Sequence, residues 1–233
     1  MKEYKYQLHT HTSPCSACAS MTPTELCKAL HDAGYQGAVL TNHFYHGNTG
    51  VDRASAWEDF VGAYEADHQK CLREAKKYDL DILFGIEEGV GLGLEVLCYG
   101  ITPQVLYENP QLRDCSIEEF CRVMRRNGVL LIQAHPFREA FYIPQAGVLP
   151  LEYIDGIEVY NRGNRMGLTD EKAMDVASLH PRLIQTSGGD AHRPNEVVFG
   201  GIQTKSRLKT LEDLVTCFRK KEYSIITHSR NEG

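Results

Sequence analysis

Short apolar runs alternate along this chain with segments whose apolar residues recur at helical spacing. Residues 4–8, 37–41, 81–86, 129–133, 156–160 and 183–186 read as strands, with further runs at 94–100, 201–204 and 223–227. Helix signals stand between them. Thr22-Pro23-Thr24-Glu25 combines a capping box with proline at the first helical position, and Gly34 marks the end of that helix. A long helix over about 54–78 places Trp57, Val61, Tyr64 and Leu72 near one face, a stripe that reads as core rather than as a cofactor box. Ser116-Ile117-Glu118-Glu119 is a second capping box, with Gly128 as its stop, and further helices fall near 170–179 and after Thr210.

Strand followed by helix, repeated, predicts an α/β fold with a mainly parallel sheet. Seven or eight such units in 233 residues suit a small barrel better than a doubly wound sheet. No glycine-rich dinucleotide fingerprint follows the first strand. With no linker, repeat or low-complexity tract, residues 1–233 read as one domain.

Composition narrows the function. A formal net charge of -6 argues against a non-specific nucleic-acid binder, which presents a basic face. It leaves an anionic small molecule open, because bound cations reverse a local field. No apolar run is long enough to span a bilayer, and Met1-Lys2-Glu3-Tyr4 lacks the apolar core of an export signal. The eight cysteines therefore read as reduced thiols, and the expected location is cytoplasmic, with no membrane partner.

The chemistry lies where histidines and carboxylates fall. His9 and His11 follow the first strand, His43 the second, Glu87 the third and His135 the strand at 129–133; Asp190 and His192 follow the strand at 183–186. In a parallel barrel all these strand ends face one mouth. In His9-Thr10-His11 the two imidazoles share a side of an extended chain and can reach one ion, and Asp190-Ala191-His192 repeats the spacing. Imidazole and carboxylate suit Zn, Mn or Fe, and a carboxylate can bridge two ions. Alone, His9 and His11 would be two surface histidines ending a strand; the repeat at Asp190 and His192 favours metal. Glu88 follows Glu87, so either can be the ligand with the other solvated, and Glu158 and Asn161 are read as groups that orient ligands or substrate. His31, His68, His180 and His228 read as surface or packing residues.

Six segments together resemble the PHP (polymerase and histidinol phosphatase) superfamily of metal-dependent phosphoesterases. They are Leu8-His9-Thr10-His11-Thr12, Leu40-Thr41-Asn42-His43, Gly85-Ile86-Glu87, Ala134-His135-Pro136, 156–161 and 187–192. The resemblance implies a distorted (β/α)7 TIM-like barrel with one to three divalent ions. It implies that His9, His11, Glu87 and Asp190 hold the first ion, that Glu87 bridges to a second also bound by His135, and that His43 and His192 serve a third. Three positions depart from the family: Asn42 stands where Asp is frequent, Leu97 where a histidine is usual, and Ser13-Pro14-Cys15-Ser16-Ala17-Cys18 lacks a further histidine. Either Cys15 or Cys18 can be the substitute, since thiolate binds zinc and iron well, although two free thiols are the simpler reading. One or two firm ions are expected.

A divalent ion brings the pKa of water toward neutrality, so such a site supports hydrolysis without a strong protein base. His192 or His43 is placed to protonate a leaving oxygen, beside the catalytic Asp190. Arg138, Arg162, Arg165 and Arg193 lie near the ligands and suit phosphate, Arg138 and Arg162 foremost. The expected activity is hydrolysis of a small phosphorylated metabolite. The alternatives are a phosphodiesterase or nuclease, or a degenerate metal-binding regulatory module.

Overall fold

A computed structural model describes residues 2–164 and 168–227. In chain order the elements are β1 (Tyr4–Thr10), α1 (Pro23–Asp32), β2 (Gly37–Leu40), α2 (Trp57–Ala75), β3 (Asp81–Gly89), β4 (Glu95–Tyr99), α3 (Pro103–Tyr107) and α4 (Ile117–Arg126). They continue with β5 (Leu130–Gln133), β6 (Gly156–Asn161), α5 (Thr169–Leu179), β7 (Ile184–Gly188), β8 (Ile202–Thr204), α6 (Leu211–Lys220) and β9 (Tyr223–Ile225). The capping box of α1 forms in full between Thr22 and Glu25. At α4 only half forms: the Ser116 hydroxyl accepts from the Glu119 amide, while the Glu119 carboxylate pairs with Arg122. The five-residue α3 was not foreseen; Thr102 caps it and Pro103 opens it.

The nine strands form one sheet in the order β7-β6-β5-β4-β3-β2-β1-β8-β9. It curls until its β1 and β7 regions meet: Thr10 bridges Ala191, with His11 N donating to Ala191 O at 2.9 Å and Ala191 N to His9 O at 3.0 Å. This is the expected distorted barrel. The expectation of a mainly parallel sheet needs correcting. β4 runs antiparallel to both β3 and β5, and β8 is antiparallel to β1. The cause is loop length. Only residues 90–94 join β3 to β4, too few for the crossover that a parallel pair requires.

One apolar cluster gathers Tyr6, Leu8, Val39, Leu83, Leu97, Tyr99, Ile132 and Ile184, residues drawn from six strands, and so fills the barrel. Leu214 and Phe218 of α6 close its lower end. Outside the barrel, Phe44 packs edge-to-face against Trp57, Phe60 and Tyr64 and so anchors α2. Among the described residues no helix is long and apolar enough to cross a membrane.

Tyr99 crosses the interior to donate to the Leu8 carbonyl at 3.0 Å, one residue before His9. Replacing Tyr99 with Phe removes that bond from a buried site, and should cost about 1 kcal/mol. Urea denaturation of the metal-free protein measures it. An unchanged midpoint would mean that the cross-barrel bond adds nothing.

Candidate metal centre

Glu87 is the centre of the barrel mouth. It lies on β3, on the face that Leu83 gives to the interior, and is fully buried. The pairing of β1 with β2 shifts register between Gln7 and Thr10, a break in strict alternation that lets His9 follow Leu8 toward the interior. His9 Nε2 lies 3.2 Å from Glu87 Oε1 and 3.4 Å from Asp190 Oδ1. His11 Nε2 lies 3.4 Å from Glu87 Oε2 and 3.4 Å from Asp190 Oδ1. His135 Nε2 is 3.3 Å from Glu87 Oε1, and His43 Nδ1 is 2.9 Å from Glu87 Oε2. The structure thus brings together the predicted ligands His9, His11, His43, Glu87, His135 and Asp190.

These contacts are not hydrogen bonds. His9 Nε2, His11 Nε2, His43 Nδ1 and both Glu87 oxygens are buried without a hydrogen-bond partner. Leaving five such atoms unmet is costly unless a cation meets them. Two donors that share an ion at 2.0–2.2 Å stand about 3.0–3.4 Å apart, which is the spacing seen here. The residues present therefore fit divalent metal.

Electrostatics agree. Burial alone would raise the Glu87 carboxyl, but His9 and His43 outweigh it and hold it well below the usual carboxylate range. Asp190 is likewise held low against burial, by His9 and Arg138. Burial would lower His9, yet Glu87, Asp190 and Glu158 hold it well above its ordinary value. Burial, with His192 and His43 nearby, keeps His11 well below, and so neutral and able to ligate.

The other ring nitrogens are fixed from behind. His9 Nδ1 pairs with Glu158 Oε1 at 3.1 Å, which leaves Nε2 to face Glu87. Glu158 Oε2 also accepts from the His135 amide at 2.9 Å and from Asn161 Nδ2 at 2.7 Å. A Cβ on Gly188 would meet Glu158 Oε1 at 2.3 Å, so glycine is required there. His11 Nδ1 pairs with Ser16 Oγ at 3.0 Å, and Ser16 donates to Asn42 Oδ1 at 2.9 Å. Sequence reasoning passed over Ser16, whose only signal is its place five residues after His11.

The departures from the family pattern resolve one by one. Asn42 faces Thr12, Ser16 and the buried Asp67 of α2, so it supports the loop and His11 rather than the mouth. Cys15 is buried, with its thiol toward Ala63 O, away from the histidines. Cys18, exposed as a residue, turns its thiol to His192 and His43; burial of the sulfur opposes ionisation, but those hydrogen bonds bring it down to about 6. His11, His43 and His192 also converge as a possible ligand group. Leu97 points into the barrel core, and the polar group that β4 brings to the mouth is instead its first residue, Glu95.

Only one of the four arginines reaches the mouth among the described residues. Arg138 donates to Asp190 Oδ2 and Asn161 Oδ1, both at 2.7 Å, and to Asn164 Oδ1 at 3.0 Å. Arg162 lies over the Phe199 ring, 5.2 Å from its centroid, and Arg193 is exposed and pairs with Glu196. Arg165 and His228 lie outside the described residues. Glu88, beside Glu87, pairs with His46. The mouth is a cavity of about 570 Å³ lined by Cys18, His43, Glu95, His135, Arg138 and His192 among others. A larger hollow of about 800 Å³ beside α6 contains none of these ligands, so donor chemistry rather than volume marks the site.

No family model and no curated protein matches the chain. Solved structures do. A protein assigned to the metal-dependent phosphoesterases, from Bifidobacterium adolescentis, aligns over 81% of this chain and 88% of its own at 15% identity and TM-score 0.54. PsfC from Pseudomonas syringae aligns over 99% and 93% at 15% identity and TM-score 0.64. The lesion-specific Endonuclease Q of Pyrococcus furiosus aligns over 96% of this chain but 58% of its own, at 12% identity and TM-score 0.64. What these structures share with the chain is the fold, a distorted α/β barrel.

Because Arg138 holds Asp190 Oδ2, Oδ1 is left toward His9 and His11. Arg138→Met should weaken metal binding about 10–100-fold without unfolding the protein. Competition against a chromophoric chelator measures this. Unaltered affinity would mean that Asp190 needs no such clamp.

Proposed function

We propose that this chain is a metal-dependent hydrolase of small phosphomonoesters, of the sugar phosphate, nucleotide or histidinol phosphate type. The observation that carries the reading is the buried Glu87, ringed by His9, His11, His43 and His135 with Asp190 beside them. Zn, Mn and Fe suit these donors, and when bound they supply Lewis acidity and water of lowered pKa.

The chain's own groups do the rest. Arg138 lines the mouth with Nε and Nη2 committed to Asn164, Asn161 and Asp190, which leaves Nη1 for a phosphoryl oxygen. His192 Nδ1 is held by the Asp190 carbonyl at 2.8 Å, so its other nitrogen faces the cavity. Burial would lower His192, but Cys18 and Asp190 raise it above its ordinary value. That direction favours the protonated form that a general acid for the leaving oxygen needs. Glu158 and Asn161 hold ligands in place and take no part in proton transfer.

A phosphodiesterase is the second reading, favoured by one feature. Phe141 is fully exposed and Tyr142 lines the mouth, as stacking platforms for bases would. The electropositive track that a nucleic acid needs is missing: among the described residues Arg138 is the one Lys or Arg lining the mouth. The monoester reading is preferred for that reason.

Phosphate release from a broad monoester panel, with Mn, Zn or Fe supplied, should fall at least 100-fold in Asp190→Asn, roughly the loss of a key electrostatic group. A diester substrate run in parallel separates the two readings. Protein that carries metal yet cleaves neither would instead be a regulatory module.

A further inference from the structure

The mouth holds one carboxylate that neither the sequence pattern nor the mechanism uses. Glu95 opens β4, and because β4 is reversed, this first residue lies at the same end of the barrel as the last residues of β3 and β5. Glu95 Oε1 is 3.3 Å from His43 Nδ1, and Oε2 is 3.4 Å from His135 Nε2. The same two imidazoles lie 2.9 and 3.3 Å from the oxygens of Glu87. His43, Glu87 and Glu95 form one of the groups whose ligand atoms converge closely enough for an ion. The group is more than an acidic cluster: His43 Nδ1 and both Glu87 oxygens point into it, buried and without hydrogen-bond partners.

We propose that Glu95 completes a second metal position with Glu87 and His135, with one imidazole where the first has two, and that the two positions therefore prefer different ions. The inference rests on the reading of this mouth as a metal site. The first position draws on two imidazoles, His9 and His11, with Asp190 and the shared Glu87. The second draws on two carboxylates and one imidazole. Zinc outbinds manganese at almost any mixed nitrogen and oxygen site, but its advantage shrinks as the share of imidazole among the donors falls. The ratio of zinc to manganese affinity is thus lower at the Glu95 position, and the enzyme takes a mixed pair when both ions are present. His43, within reach of both Glu95 and Glu87, steadies this end.

The test is Mn(II) titration of the metal-free protein, followed by electron paramagnetic resonance and by metal content, for wild type, Glu95→Gln and Glu95→His. Wild type should take up two ions and show the broadened spectrum of an exchange-coupled pair. Glu95→Gln, which keeps the side chain's size, should bind a single ion with an uncoupled spectrum. Glu95→His restores a donor, so it should regain the second ion and raise zinc retention over manganese at that position by about tenfold or more in competition dialysis. A coupled pair that persists unchanged in Glu95→Gln, with the same zinc-to-manganese ratio in Glu95→His, overturns the assignment of Glu95. Wild type that binds no ion overturns the metal reading as well, and so separates the two failures.

Discussion

A carboxylate with no hydrogen bond, sealed in a barrel among imidazoles, is the constraint on which the rest of this structure turns. Glu87 is fully buried with both oxygens unpartnered. Burial without compensation is among the most costly things a fold can do with such a group. The surroundings tolerate it because four histidines and an arginine-clamped aspartate converge on it from β1 and from the segments after β1, β2, β5 and β7. Backbone conformation follows the same demand. His135 and Asp190 both sit at positive φ, where a side chain is accepted only when its surroundings insist.

Around that centre lies a layer whose work is orientation. Glu158 takes His9 Nδ1, the His135 amide and the Asn161 amide at once. Ser16 and Asn42 do the same for His11 from the other side. The contacts to His9 Nδ1 and His11 Nδ1 occupy the ring nitrogens that face away and so fix which nitrogen faces the centre. The layer is rigid because it is anchored in the barrel wall and in α2, through Asp67 on Thr12 and Asn42.

The pattern of residues showed the strand ends, and with them His9, His11, Glu87, His135, Asp190 and the barrel itself, because a parallel unit carries its C-terminal end to one face. It hid whatever depended on direction or packing. Glu95 escaped notice because a strand start is read as the far end of a barrel, and only the short loop at 90–94 shows that β4 is reversed. Leu97 sits where a histidine was sought, but in this chain the position faces the core. Cys15 and Cys18 are three residues apart, yet one thiol faces α2 and the other the histidines, a difference that loop geometry decides and spacing does not. The arginines illustrate the same limit. Proximity in sequence put four near the ligands, whereas the ring of Phe199 and the carboxylate of Glu196 hold Arg162 and Arg193 elsewhere.

Charge balance joins this architecture to the chemistry proposed for it. Among the described residues one arginine lines the mouth and it already faces Asp190, while Glu87 and Glu95 add negative charge, so these groups alone offer a phosphate dianion little attraction. Attraction must come from bound cations, whose charge dominates any local field. Metal loading and substrate binding are then a single linked property rather than two. On the proposed reading, a chain of net charge -6 handles a compact anion through bound cations, while its overall charge disfavours polyanions.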